Sequence, residues 1–479
     1  MAKGVRMESA GQIMAALAAA GHEAYIVGGA VRDIMRGAQP VDIDIATSAI
    51  PDEIVMIASR RGWKAITIGA AFGVVAVVAD GRNYEIATFR SERYGADSHR
   101  PEAVRLGVSL REDLARRDFT INAMAMDADG RVIDLFGGQQ DLAARLIRAV
   151  GNPHERFAED GLRMFRAARF AARFGFTLEN GTLDAISANL GRINGLSVER
   201  VQAEIGKTLM ADFASQGLAI LLQAGLLGAT CQAKEQGQAH AVPILPELAH
   251  LNGLSQNPKY HLHDAWQHTL AAVDLTPPTA VLRWAALLHD VAKGWPGVRT
   301  INREGQPSDP GHDKAGAEAA AAILGRLRVE RQVLEQVVWL IRHHLVFPPA
   351  ECKTVLKWLK RLAGGFKSSS QFGAALEQLF ALHQADRLAG HTQPDIDGLE
   401  AVQSIASSIL MEIPFFPAQL KLRGQEISSK IGGGLEVGRF QQNLLARIQA
   451  GQLSNTHAAL VAALDARARR MLLKQQDCF

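Results

Sequence analysis

Apolar and polar positions repeat with two different periods along this chain. Near the start, Tyr25, Ile26 and Val27 form a short apolar, partly β-branched run that stops at Gly28-Gly29. A short helical stretch follows, and Pro40 ends it. Val41-Asp42-Ile43-Asp44-Ile45 then alternates apolar and acidic. Period 2 predicts a strand with Asp42 and Asp44 on one face and Val41, Ile43 and Ile45 towards the core. The Ala-rich residues 12–20 predict a first helix, and Pro51 opens another through Arg60. Residues 63–68, 73–79 and 84–89 predict strands, the last two joined as a hairpin at Asp80-Gly81. Residues 90–107, with Gly95, Pro101 and many charges, predict a mobile loop. From Gly151 the period turns helical and stays so to the end. Residues 232–241, followed by Pro243 and Pro246, predict a linker, and another break falls near 390–398. No simple internal repeat is present. The fold class expected is α+β: a small mixed sheet with helices over residues 1–150, then an all-α remainder.

Composition narrows the setting. A length of 479 residues suggests two to four domains. Residues are 48% hydrophobic and 21% charged, which fits globular material and not a disordered or fibrous chain. No apolar run is long enough to span a membrane. Cys231, Cys352 and Cys478 are odd in number and far apart, so no disulfide framework follows and a cytoplasmic setting is expected. The net charge of +3 makes the whole-molecule field weak. Its distribution says more, because no lysine lies between Ala65 and Ile205 while arginine is frequent there. Arginine suits planar, bidentate recognition of phosphates and bases. An Arg-rich genome explains the same bias equally well.

Candidate chemistry begins at the glycines. Gly28-Gly29 lets the backbone approach a ligand closely, and N–H groups where a helix begins form an anion site. Arg32, in the first helical turn, could add a charge-assisted contact to phosphate. Asp42 and Asp44 alone read as a solvated strand face. With an anion turn about fifteen residues upstream they read instead as a pair converging on Mg²⁺, as in-line displacement at phosphorus requires. A second motif is Arg116-Arg117-Asp118-Phe119-Thr120-Ile121-Asn122-Ala123. Its arginines could hold a triphosphate, Asp118 could orient one of them, and Asn122 could bond a sugar or phosphate. The alternative is a charged helix start leading into a buried stretch. Residues 159–174 read as helix, with Arg163, Arg166, Arg169 and Arg173 on one side and Asp160 three residues before Arg163.

These runs resemble the head domain of class II tRNA nucleotidyltransferases, the CCA-adding enzymes and bacterial poly(A) polymerases. The resemblance rests on Gly-Gly-x-Val-Arg-Asp…Asp-x-Asp-x-x-Thr, on Arg-Arg-Asp-Phe-Thr-x-Asn-Ala, and on two supporting stretches. Those are Val132-Ile133-Asp134-Leu135-Phe136-Gly137-Gly138 and Glu159-Asp160-Gly161-Leu162-Arg163, in the family's order. It implies template-independent addition of CCA to the 3′ end of tRNA from CTP and ATP, with two Mg²⁺ ions on Asp42 and Asp44. Glu85 is a possible third carboxylate. Gly28, Gly29, Arg32 and Arg117 would hold the triphosphate, with Asp118 and Asn122 beside them. Asp160 and Arg163 would read the base, with Arg166 and Arg169 near base or triphosphate. Ile68-Gly69-Ala70-Ala71-Phe72-Gly73 lacks the Gly-Arg pair of the poly(A) enzymes, and residues 90–101 resemble the loop that CC-only enzymes have lost. Enzymes adding only the final A keep both features and stay open, as do a poly(A) polymerase and a hydrolase with an RNA-binding head.

Eleven of the fifteen histidines fall between His240 and His391. His268, His289-Asp290, His312, His343-His344 and Asp386 form an ordered run of imidazole and carboxylate, a set that can hold one or two metals. The run resembles HD-superfamily phosphohydrolases. That resemblance implies one metal on His268, His289, Asp290 and Asp386, with His312 and His343 serving a second; Mn²⁺, Co²⁺ or Ni²⁺ would suit. The implied domains are the head, a helical neck carrying the base-recognition helix (151–235), an HD domain (236–390) and a tail (391–479). The tail resembles one that grips tRNA; a simple packed helical pair fits as well. No obligate protein partner and no membrane association are expected.

Overall fold

The computed structural model describes residues 2–95, 101–235, 237–390 and 394–476. The chain divides into two compact units. The first takes the chain up to Asn252 with Pro278–Ala280 and Ala322–Arg331; the second takes Gly253–Pro277, Val281–Ala321 and everything from Gln332 on.

In the first unit, α1 (Ala2–Ala19), β1 (Ala24–Val27), α2 (Gly29–Met35), β2 (Asp44–Thr47) and α3 (Pro51–Arg60) come first. Then follow β3 (Lys64–Ile66), β4 (Val74–Ala79), β5 (Arg82–Thr88), β6 (Arg90–Tyr94), β7 (Pro101–Leu106), α4 (Leu110–Ala115), β8 (Met124–Met126) and β9 (Val132–Asp134). Seven strands form one sheet in the order β3-β4-β5-β2-β1-β8-β9, with β2 and β5 parallel and the other neighbours antiparallel. Period 2 sorts the core. Ile26, Ile45, Met124 and Met126 pack on one face beneath Ile13, Met14 and Leu17 of α1 and Ile54 and Ile57 of α3. Val27, Ala46 and Ala125 pack on the other with Phe89 and Leu114. The β4–β5 hairpin closes as expected through Asp80 and Gly81, both at positive φ, 50° and 72°.

Two local expectations change here. The strand begins only at Asp44, so Asp42 lies in the bend before it and Val41 is 65% exposed. Alternation continued past the last residue that has a pairing partner. Residues 90–107 are largely not loop, because β6 and β7 pair as an antiparallel hairpin, from Arg90↔Leu106 to Tyr94↔Pro101. Residues 96–100 of that segment lie outside the described residues. Polar residues hid these strands because the hairpin stands apart from the main sheet.

The first unit continues with α5 (Gly138–Ala143), β10 (Leu146–Ile147), α6 (Pro153–Glu159), α7 (Leu162–Phe174), β11 (Thr177–Leu178), α8 (Asn180–Ala188), α9 (Val198–Leu209) and α10 (Ala214–Gln223). α10 packs closely on α7 and α9 because Gly217 carries no side chain. A Cβ there would stand 2.6 Å from Thr208 and 2.8 Å from Ala172. The stretch 232–241 is no linker: β12 (Thr230–Glu235) and β13 (Gln238–Pro243) pair, burying Cys231, Ala233 and Val242.

The second unit holds α11 (Ala265–Leu275) and most of α12 (Ala280–Leu288), then β14 (Thr300–Ile301) and β15 (Pro307–Ser308). α13 (His312–Arg326) as far as Ala321, α14 (Arg331–His343) from Gln332, α15 (Cys352–Ala363) and α16 (Ser369–Gly390) follow. The chain closes with α17 (Ile396–Glu412), α18 (Gly424–Ile431), α19 (Leu435–Gln449) and α20 (His457–Gln476). The last three share a small core of Ile427, Leu444, Leu460 and Leu464. Among the described residues no helix is long and apolar enough to cross a membrane.

Candidate active site and histidine centre

The first unit contains a cavity of about 850 Å³. Gly28, Gly29, Arg32, Asp42, Asp44, Arg117, Asp118, Asn122, Asp160, Arg163, Arg166 and Arg169 all line it. These residues are spread over more than 140 positions of sequence, and the fold brings them together. Among the described residues nine arginines and five carboxylates line the cavity, so its wall is strongly cationic.

At one end stand the carboxylates. Asp44 opens β2 and pairs in register with Glu85 of β5, so both side chains leave the same face of the sheet. Asp44 reaches the cavity mouth, yet protein atoms crowd it. Burial, then Glu85, with a smaller push from Asp42, raises its carboxyl above the ordinary range, against the pull of Arg117. Such carboxylates repel one another until a cation joins them, and their donors are all oxygen. The residues therefore fit a hard divalent ion.

Beside them Gly28 sits at φ 71° and ψ −131°, a conformation that essentially only glycine adopts. A Cβ on Gly28 would lie 2.8 Å from Arg117 Nη1. The glycine thus leaves the space that Arg117 occupies. Buried Asp113 holds both arginines of the second motif, accepting from Arg116 Nη2 at 2.8 Å and Arg117 Nη2 at 3.2 Å.

The other motif residues form a chain of contacts. Arg32 is buried, pairs with Asp33 at 2.8 Å, donates to Asn122 Oδ1 and lies 4.6 Å above the Phe174 ring. Asn122 donates to Asp118 Oδ1 at 3.1 Å. Asp118 orients neither Arg116 nor Arg117. Its Oδ2 instead accepts from Arg166 Nε at 2.8 Å and Nη2 at 2.6 Å. Burial alone would raise the Asp118 carboxyl, but Arg166 and Asn122 outweigh it and hold it down at about 2. Arg169 is held by Glu204 at 2.6 Å.

The expected continuous helix over residues 159–174 is broken. α6 ends at Glu159 and α7 starts at Leu162, with Asp160 extended between them at φ −142°. Asp160 Oδ1 accepts from the Leu162 N–H at 3.0 Å, and Oδ2 lies 3.6 Å from Arg200 Nη2. Arg163 pairs with Glu159 at 2.6 Å and donates to the Arg116 carbonyl at 2.8 Å. Arg90, Glu92, Phe72 and Arg200 also line the cavity and were not singled out from the sequence. Arg90 and Glu92 lie in the segment read as loop, and Arg200 sits on α9 with no local motif.

The second unit gathers the histidines into two groups: His268, His289 and half-buried Asp386, and the buried Asp290, His312 and His344. His268 Nε2 lies 2.9 Å from Asp386 and 3.2 Å from His289 Nε2. His312 Nε2 lies 3.2 Å from Asp290. His344, and not His343, completes the second group. His343 ends α14 and packs on Trp339, 5.0 Å between ring centres. The next residue points about 100° further round and enters the cluster. Its Nδ1 donates to the Ile341 carbonyl at 2.7 Å. His289 and His312 do the same towards Ala286 and Asp309, at 2.8 and 2.7 Å. Each such bond turns Nε2 inward, towards the carboxylates of the cluster. Burial pushes His344 down to about 3, and its buried Nε2 has no partner among the described residues. Burial would lower His289 too, but Asp290 and Asp386 push it up to about 10. A proton is drawn where a cation would relieve the carboxylates of Asp290 and Asp386, so this donor set fits one or two metal ions. His261, 4.8 Å from the His268 ring, and Lys293, 2.7 Å from Asp290, complete the rim; neither was singled out earlier.

Comparison with known proteins follows the same division. Residues 24–148 match "Poly A polymerase head domain", 175–230 match "Probable RNA and SrmB- binding site of polymerase A", and 266–389 match "HD domain". The chain is 40% identical over 311 residues to the CCA-adding enzyme of Limosilactobacillus fermentum, covering 62% of this chain and 76% of that one. This chain belongs to the CCA-adding enzyme family. It is also 50% identical over 206 residues to the CCA-adding enzyme of a Geobacillus species, covering 43% of this chain and spanning half the length of that relative. Among solved structures, the Bacillus stearothermophilus CCA-adding enzyme in complex with CTP superposes with a TM-score of 0.67 at 26% identity, covering 98% of each chain. The α+β architecture, with a sheet-containing head and helical remainder, is that of the CCA-adding enzymes.

Proposed function

We propose that this chain adds C, C and A in turn to the 3′ end of tRNA, using CTP and ATP. The observation that carries this reading is the single cavity in which Asp42 and Asp44 face an arginine wall reaching Asp160. Asp42 and Asp44 would hold Mg²⁺, which their oxygen-only donors suit. Bound there, the ions would lower the pKa of the acceptor 3′-OH and take up charge on the departing pyrophosphate. Arg117 and the Gly28-Gly29 turn cradle the triphosphate. Arg32 supports them from behind, since its donors already serve Asp33 and Asn122.

Base choice falls to Asp160 and Arg163. Cytosine and adenine both present an exocyclic amine that a carboxylate accepts. Uracil and guanine present a carbonyl oxygen there, which a carboxylate repels. The contacts of Arg163 with Glu159 and the Arg116 carbonyl set its guanidinium before a base arrives. The similarity to a CCA-adding enzyme in complex with CTP supports CTP as one substrate.

The test uses tRNA lacking its CCA end with labelled nucleotides. CTP alone should give two additions, and both nucleotides together three. Addition of A alone, or of a long A tail, would replace this reading with an A-adding enzyme or a poly(A) polymerase. Shortening the segment 90–101 should stop addition after CC.

A second reading concerns the histidine centre. Its inward-facing Nε2 atoms and the carboxylates of Asp290 and Asp386 favour phosphoester hydrolysis with Mn²⁺, Co²⁺ or Ni²⁺. The cavity above it, about 240 Å³, suits the phosphoryl end of a small monoester or cyclic phosphate. Phosphate release with each metal tests it.

A further inference from the structure

The second unit carries a surface that the histidine centre does not use. α15 is strongly two-faced. Val355, Trp358, Leu359 and Leu362 are buried, while Lys353, Lys357, Lys360 and Arg361 face solvent. The helix contains no Asp or Glu. Lys367, just beyond it, is exposed as well. These five cations make no ion pair among the described residues. Lys353, Lys357 and Arg361 repeat at i, i+4 and i+8, so like charges stand one above another at a cost to the helix. Four of the chain's fourteen lysines fall between positions 353 and 367, in a chain that otherwise prefers arginine. Such a face gains when an anion lies along it.

A groove adjoins it. Trp339 and Phe366 meet edge-on at 5.2 Å and border a cavity of about 710 Å³, with Gln336, Gln371 and Gln378 in its walls. Phe366 also lines a smaller cavity with Lys360 and Lys367, so groove and cationic face are continuous. Aromatic rings and amides beside a row of lysines are the groups that take an unpaired base and its backbone. The apolar side of α15 is already buried, so the helix has nothing left to insert into a lipid surface.

We propose that the exposed face of α15 binds RNA phosphates and that the Trp339–Phe366 groove takes an unpaired base of the same RNA. That the RNA is tRNA rests on the transferase reading. The test is binding of CCA-less tRNA to the full chain at about 50 to 200 mM salt, wild type against a variant with Lys353→Gln, Lys357→Gln and Lys360→Gln. Each lost phosphate contact should flatten the plot of log affinity against log salt by about one unit. Over that fourfold range of salt, wild type should therefore lose about sixtyfold more affinity than the variant. Trp339→Leu should weaken binding without changing the slope. KM for CTP should stay at its wild-type value in both. If the triple variant does not fold, Lys357→Gln alone should flatten the slope by about one. Equal slopes overturn the proposal. So does a variant that keeps tRNA binding but loses binding to phosphatidylserine vesicles or to polyglutamate. Failure of the transferase reading has a different signature: steep, salt-dependent tRNA binding with no nucleotide incorporated.

Discussion

Asp118→Asn removes one charge from the centre of the contact chain Asp33–Arg32–Asn122–Asp118–Arg166. The side chain keeps its size and an oxygen for the Phe119 N–H, which Asp118 Oδ1 accepts at 2.8 Å. It loses the ionic pair with Arg166. The carboxyl stands at about 2 in the fold against an ordinary 3.8. That difference corresponds to about 2.5 kcal/mol of preference for the charged form. Arg166 is partly exposed and can turn to water, so the full penalty of an orphaned buried charge does not apply. A loss of about 2–3 kcal/mol is expected, a fall of about 5–10 °C in the melting of the first unit. The sign with pH follows from the depressed value. The contribution is complete above about 3.8 and disappears as pH falls through about 2. The gap between wild type and variant should therefore be flat from pH 5 to 8 and close only below about 4. Urea unfolding across that range measures it, with KM for CTP followed in parallel and expected to rise as Arg166 loses its aim. A loss below about 0.5 kcal/mol, or a gap that closes between pH 5 and 8, refutes the reasoning.

Three further outcomes are expected. Asp42→Asn with Asp44→Asn should abolish nucleotide addition and spare phosphate release from the histidine centre; His289→Ala with Asp290→Ala should do the reverse, each read by the two assays side by side. His344→Ala should lower the number of metal ions bound per chain, measured by elemental analysis after dialysis, while His343→Ala should leave it unchanged. Gly28→Ala should cost about 1–3 kcal/mol through its backbone conformation, and should raise KM for CTP because the new Cβ displaces Arg117; a normal KM would show that Arg117 does not hold the nucleotide.

The local pattern of the sequence determined a good deal. The apolar run at residues 25–27, the Asp80-Gly81 turn and the Pro51 helix are decided within a few residues, so they were legible there. Motif order was enough to name the head and the histidine module, because each motif is short and its spacing is local. Tertiary structure decided the rest. Where β2 begins depends on which residue finds a partner on β1, and Asp42 finds none. The break at Asp160 and the polar β6–β7 and β12–β13 hairpins depend on packing that no local period records. Arg166 reaches Asp118 across 48 positions, so the sequence could supply both charges but not their pairing. The choice of His344 over His343 turns on the rotation of a single residue at the end of α14. Helical spacing predicts a neighbour's direction, but only the packed helix decides which of two adjacent imidazoles faces the metal-binding cluster and which meets Trp339.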